Sequence, residues 1–88
     1  MTPGELAVES PDAGAEVVVD ARGTRCPMPV ILAARAAKEL PSGTRLVVLA
    51  TDPAAAADVP AWARMRGHTV ESVDNDADGQ VRAVVVTS

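Results

Sequence analysis

Apolar residues in this chain come in short blocks of two kinds, and the blocks alternate. Val17 to Val19 is a β-branched run that leads into Asp20-Ala21-Arg22-Gly23, the pattern of a buried strand ending in a turn. From Pro27 onward the spacing becomes helical, with Val30, Ala33, Ala34, Ala37 and Leu40 on one face until Pro41-Ser42-Gly43 stops it. Leu46 to Ala50 is apolar throughout, as in a central strand covered on both sides, and Thr51-Asp52-Pro53 makes a second junction from strand to helix. Ala54 to Ala57 predicts a helical turn. Pro60 would clash inside a continuous helix, so the main second helix is expected from about Pro60 to Arg66, with Gly67 as its stop. Val70 to Val73 and Val81 to Thr87 complete the pattern as two strands joined by the loop Asn75 to Gly79. Residues 1–15 mix Pro, Gly, Glu, Asp and Ser without periodicity and predict a disordered tail; residues 16–88 form the expected single domain.

The order β-α-β-α-β-β contains no repeat. A strand, helix, strand connection of this length favours a parallel crossover, which sets the carboxyl ends of the first two strands at one sheet edge. In α/β sheets that edge is where ligands usually bind. Cys26 follows the first strand and Asp52 the second, so the two are expected to be neighbours.

Composition narrows the choice of core. An 88-residue chain that is 48% hydrophobic but has one Trp and no Phe or Tyr must build its interior from Val, Leu, Ile and Ala. A compact α/β layer pair suits such residues. The net charge of -4 is unevenly spread: Glu5, Glu9, Asp12 and Glu16 precede a body with balanced acids and bases. Within that body Arg22, Arg25, Arg35, Lys38 and Arg45 share a stretch containing only Glu39, while Glu71, Asp74, Asp76 and Asp78 form an acidic one. This balance argues against direct nucleic-acid binding and for one local positive surface near the cysteine. No apolar run approaches the ~20 residues that would span a bilayer, and the N-terminus does not resemble a signal peptide, so a cytoplasmic protein is expected. The single cysteine forms no internal disulfide, and neither Cys-x-x-Cys nor zinc-ligand spacing is present. No metal or organic cofactor is expected.

That cysteine stands in Arg22-Gly23-Thr24-Arg25-Cys26-Pro27-Met28-Pro29. Proline favours the first helical position and holds the preceding residue extended, which places Cys26 at the N-cap and Pro27 at the first helical position. The thiol would then sit at the positive end of a helix, with the Met28 amide as donor to sulfur and Arg22 and Arg25 close by. Arg22, Pro27 and Met28 are thus expected to stabilise a thiolate on an exposed, activated Cys26. Most free cysteines are instead small buried hydrophobes, but a polar, arginine-flanked turn is a poor place to bury one. Asp52 would act in the opposite sense on the thiol, or cap the Pro53 turn. Arg25, Met28, Arg35 and Lys38 read as a docking surface for a partner, with an ordinary solvated helix face as the alternative; Asp52 joins them as a candidate contact. Trp62 reads as a core residue in preference to a partner anchor, and His68 as a capping or surface residue.

Asp20-x-Arg22-Gly23-x-x-Cys26-Pro27-x-Pro29, followed by Ala50-Thr51-Asp52-Pro53, Asp58-Val59-Pro60-Ala61-Trp62 and Gly67-His68, resembles the signature of the TusA/SirA family of small sulfur-carrier proteins. The resemblance implies an α+β two-layer sandwich with two helices on one face of a four-stranded mixed sheet, like the C-terminal domain of translation initiation factor 3. It implies that Cys26 is a persulfide carrier, a sulfurtransferase-type role. The sulfur would come from a donor protein, a cysteine desulfurase or rhodanese-like protein, and pass to an acceptor sulfurtransferase in tRNA thiolation, cofactor synthesis or sulfur metabolism. A monomer forming transient complexes would serve. Many relatives carry a further cysteine after the aromatic residue of the second helix, where this chain has Ala63, so any role of that thiol is missing here. The competing readings are a regulatory or adaptor module on the same fold and a redox-sensing thiol.

Overall fold

The computed structural model describes residues 16–88; the tail expected over residues 1–15 lies outside them. The elements follow the predicted order: β1 (Glu16–Ala21), α1 (Met28–Lys38), β2 (Arg45–Ala50), α2 (Ala55–Met65), β3 (Thr69–Asn75) and β4 (Val81–Val86). One four-stranded mixed sheet has the order β1-β2-β4-β3, with β1 parallel to β2 and the other two pairings antiparallel.

Strand alternation decides what the helices cover. Leu46, Val48 and Ala50 of β2 and Val81, Ala83 and Val85 of β4 point inward and are at most 1% exposed. Val17 and Val19 join the same core, as do Ala33 and its partly buried companions Val30, Ala34, Ala37 and Leu40, the face foreseen for α1. From α2 come Ala55, Val59, Trp62 and Ala63. On the opposite sheet face Val18 stays 55% exposed, whereas Val47 and Val84 are almost fully covered. Arg45 reaches across β4 on that face to the Glu71 carboxylate at 2.8 Å.

The second helix differs from expectation. It is one uninterrupted element from Ala55 to Met65 with Pro60 inside it, not a turn followed by a helix starting at Pro60. Pro60 brings no N–H and crowds the carbonyl one turn back. The helix persists because Ala55 before the proline and Val59, Trp62 and Ala63 around it lie on one continuous buried face. Tertiary packing therefore overrides the local preference. Strands β1 and β3 are also longer than their apolar runs, because the sheet pairs Glu16, Asp20 and Asp74 in register although they face solvent.

The register sets the site. Ala21 lies opposite Ala50, so the segments leaving β1 and β2 start side by side at one sheet edge. The other edge is formed by the row of Glu16, Arg45 and Val86. There the Thr87 hydroxyl accepts the buried Thr44 amide at 3.0 Å and donates to the Pro41 carbonyl at 2.7 Å.

Candidate functional site

Two loops meet at the first edge and are stitched together. Gly23, with φ +85°, takes the left-handed turn that other residues adopt only with strain, and its amide donates to Thr51 Oγ1 at 2.9 Å. The Asp52 carboxylate holds both loops: Oδ2 accepts the Cys26 amide and Oδ1 accepts the Ala54 amide, each at 2.9 Å. Asp52 thus links the cysteine loop to the start of α2, and these two bonds hold its carboxyl below the usual carboxylate range. The neighbourhood expected for Cys26 and Asp52 is realised through backbone N–H groups.

This arrangement makes a prediction. Replacing Asp52 by Ala leaves the Cys26 amide without its acceptor, and its hydrogen exchange is expected to accelerate by at least about tenfold, a local opening of the loop. Because the folded-state carboxyl titrates below its unfolded value, this protection is present above the unfolded pKa and lost as pH falls through the lowered folded one. Exchange of this amide measured by NMR in both proteins checks the claim; equal rates contradict it.

The start of α1 departs from the expected geometry. Pro27 occupies the N-cap, Met28 is the first helical residue and Pro29 follows within the first turn; no side chain caps the helix. The Met28 amide, expected to donate to sulfur, donates to the Arg25 carbonyl at 2.8 Å and closes a turn that contains Cys26. Pro27 has no N–H to offer. Arg22 is committed elsewhere, since its guanidinium forks onto Asp20 with two bonds of 2.8 Å. That pair holds the Asp20 carboxyl down to about 2. The expected stabilisation of a thiolate by Arg22, Pro27 and Met28 is therefore not built.

Cys26 itself is half-buried and packs against the core cluster, in place of the exposed position expected. Burial pushes its thiol up from the ordinary 9.0 to about 11, helped by the Asp58 carboxylate and by the charge of Asp52. The resting group at neutral pH is the protonated thiol. Asp58 is the residue that sequence reasoning missed. It stands in the first turn of α2, and only its place in the Asp58-Val59-Pro60-Ala61-Trp62 motif marked it out.

The remaining candidates spread away from the sulfur. Arg25 lines an open cleft with Gly23, Thr24, Thr51, Asp52 and Pro53. Met28 is 37% exposed, and Arg35 and Lys38 are exposed further along α1. Lys38 borders a second groove, between the C-terminal halves of the helices, with Ala34, Ala37, Trp62, Arg66 and His68. Trp62 is only 8% exposed and belongs to the core. His68 packs against it with ring centroids 5.1 Å apart and the rings tilted by 51°, and its Nδ1 accepts the Ser88 amide at 3.1 Å, a structural role. Among the described residues no group of His, Cys, Asp and Glu side chains could hold a metal ion, and no helix is long and apolar enough to cross a membrane.

Comparison with known proteins adds identity to geometry. Residues 17–87 match the family model for "Sulfurtransferase TusA". Three similar proteins share the name "Putative sulfur carrier protein": YrkF and YrkI of Bacillus subtilis and one from Archaeoglobus fulgidus. Identity to YrkF is 39% over 76% of this chain, a match that spans only 35% of YrkF's length. Identity to YrkI is 41% over 69% of this chain and 81% of that protein. For the archaeal protein the figures are 37%, 70% and 85%. The crystal structure of a SirA-like protein from Desulfitobacterium hafniense superposes with a TM-score of 0.70 at 27% identity, covering 78% of this chain and 93% of that one.

Proposed function

Because the chain belongs to the sulfurtransferase TusA family, whose model matches residues 17–87, we propose that Cys26 accepts sulfane sulfur as a persulfide and relays it to another protein. The observation that carries this reading is the position of the only thiol, half-buried at the sheet edge where Asp52 binds its backbone and docks it beside α2. In each transfer the Cys26 thiolate attacks the outer sulfur of a donor persulfide. A new S–S bond forms, the donor's S–S bond breaks, and the donor cysteine leaves as thiolate with the electron pair. The reverse geometry discharges the sulfur onto an acceptor thiol. Neither step is a net oxidation, and neither calls for a metal or an organic cofactor.

The donor class that fits is a cysteine desulfurase or rhodanese-like protein, and the acceptor a sulfurtransferase serving tRNA thiolation, cofactor synthesis or sulfur metabolism. Arg25, Met28, Arg35 and Lys38 form the docking surface along α1, and the groove beyond Lys38 extends it with Arg66 over a Trp62 floor. A lone free thiol suits the reducing cytoplasm. Redox sensing fits less well, because a sensor cysteine needs a low pKa and open access, and here burial raises it.

The test is an intact-mass measurement after incubation with a cysteine desulfurase and free cysteine. A gain of one sulfur atom is expected, removed by reductant and abolished by Cys26→Ser. A gain of oxygen under mild peroxide with no sulfur uptake from several donors would replace this reading with redox sensing; no gain of either kind would leave an adaptor.

A further inference from the structure

Both helices finish at the same end of the sheet. α1 packs on β1 and β2 and α2 on β3 and β4, so the furrow between the helices runs above the central strands. The loop after Lys38 returns to Arg45, which stands opposite Glu16, and the turn after Arg66 leads into Thr69, which stands opposite Val86. The groove of about 320 Å³ lined by Ala34, Ala37, Lys38, Trp62, Arg66 and His68 therefore opens at the end where β1 begins, away from Cys26. Its floor is apolar, made by two alanines and the largely buried Trp62. Its rim is cationic. Lys38 and Arg66 are exposed, and neither forms a salt bridge among the described residues. Over residues 34–39 and 61–66, Arg35, Lys38, Arg64 and Arg66 are opposed by a single acid, Glu39.

The chain carries the complement of this groove in its own sequence. Residues 1–15 hold Glu5, Glu9 and Asp12 and no Lys or Arg, and Glu5-Leu6-Ala7-Val8-Glu9 puts an apolar triplet between two carboxylates. We propose that this segment seats in the groove of its own chain, with Leu6-Ala7-Val8 over Trp62 and the Glu5 and Glu9 carboxylates against the Lys38 and Arg66 cations. The connection is long enough: from Val8 to Glu16 the backbone can span up to about 26 Å. The path to the groove needs roughly 10 Å sideways, for two strand spacings, and roughly 10 Å upward, for one packed layer. Attachment also makes a weak contact sufficient, because a tethered segment faces its site at a high local concentration that a second copy or a partner must supply from solution. The seated segment lies on the surface assigned above to partner docking, so a donor or acceptor that uses the groove must first displace it. That consequence rests on the carrier reading, whereas the seating does not.

Paramagnetic broadening in the full chain tests the seating. With Cys26→Ser as background and a nitroxide on Ser10→Cys, the amide signals of Ala34, Ala37, Arg66 and His68 are expected to lose more than about half their intensity, as a mostly seated segment requires. Reversing the rim with Lys38→Glu and Arg66→Glu should restore those signals, and so should Glu5→Lys with Glu9→Lys. All four changes together exchange the signs but keep the attraction, and should bring the broadening back. Broadening indifferent to either reversal, or missing from the fourfold variant, overturns the proposal, because nearness of the attachment point at Glu16 would then explain it. Groove signals left intact by the label overturn it too, and leave the groove to an acidic segment of a partner. A mixture of spin-labelled chain with unlabelled, isotope-enriched chain separates the last occupant: broadening in the mixture equal to that within one chain would assign the groove to a second copy and overturn the proposal. No reactive sulfur takes part, so failure here leaves the carrier reading where it stands.

Discussion

Iodoacetamide at pH 7 is expected to modify Cys26 about tenfold more slowly than it modifies a cysteine in a short unstructured peptide. A thiol raised from 9.0 to about 11 has about a hundredfold less thiolate at neutral pH. A more basic thiolate is intrinsically more nucleophilic, and a Brønsted slope of about 0.4–0.5 returns close to one power of ten. The rate should therefore continue to climb through pH 9 and level off only near 11. Asp58→Asn should move that midpoint down, since this carboxylate is, after burial, the largest cause of the rise. Folding stability must follow the same titration. The neutral thiol is favoured in the folded state, so its contribution is complete below the unfolded pKa and is lost as pH rises from about 9 toward 11. A pH–rate profile that flattens at or below 9 would mean that the thiol is not held in the way described.

Trp62→Ala is expected to remove about 3–5 kcal/mol of folding stability, the range for truncating a buried aromatic. Native domains hold only about 5–15 kcal/mol, and a chain of 88 residues belongs near the lower end, so most of the variant should be unfolded at modest urea concentrations. The size of the effect follows from composition: every other core side chain is aliphatic, and none replaces the volume Trp62 fills between the helices and His68. Trp62→Phe keeps an aromatic body and should lose clearly less. Because Trp62 is the sole tryptophan, urea melts must be followed by circular dichroism. A loss below about 1 kcal/mol for the alanine variant would show that this side chain is not a core anchor.

Much of the architecture could be read from residue pattern. The face of α1, the apolar run of β2 and the turn at Asn75 to Gly79 each rest on local chemistry that the rest of the fold does not contradict. Pro60 misled because a local rule about a single N–H competed with four buried side chains spread over two turns, and only the assembled sheet decides that contest. The cysteine loop misled for a related reason. The rule for helix starts predicts where a proline sits, but a turn closed by the Met28 amide on Arg25 shifted the start by one residue and removed the donor meant for sulfur. The fork of Arg22 on Asp20, two residues away, cancelled a charge that charge counting left available. A helix expected to begin at Pro60 leaves Asp58 out; with a helix running from Ala55, Asp58 falls in its first turn, and its charge helps raise the thiol.

The row Glu16, Arg45 and Val86, where β1 opens and β4 closes, lies at the sheet edge opposite Cys26. Polypeptide appended beyond Ser88 leaves the fold at that edge, so an affinity tag, a fluorophore or a whole fused domain can be attached without shading the sulfur. The matched stretch is a minor part of YrkF, and a layout in which β1 starts and β4 ends away from the reactive edge is one that gene fusion can reuse.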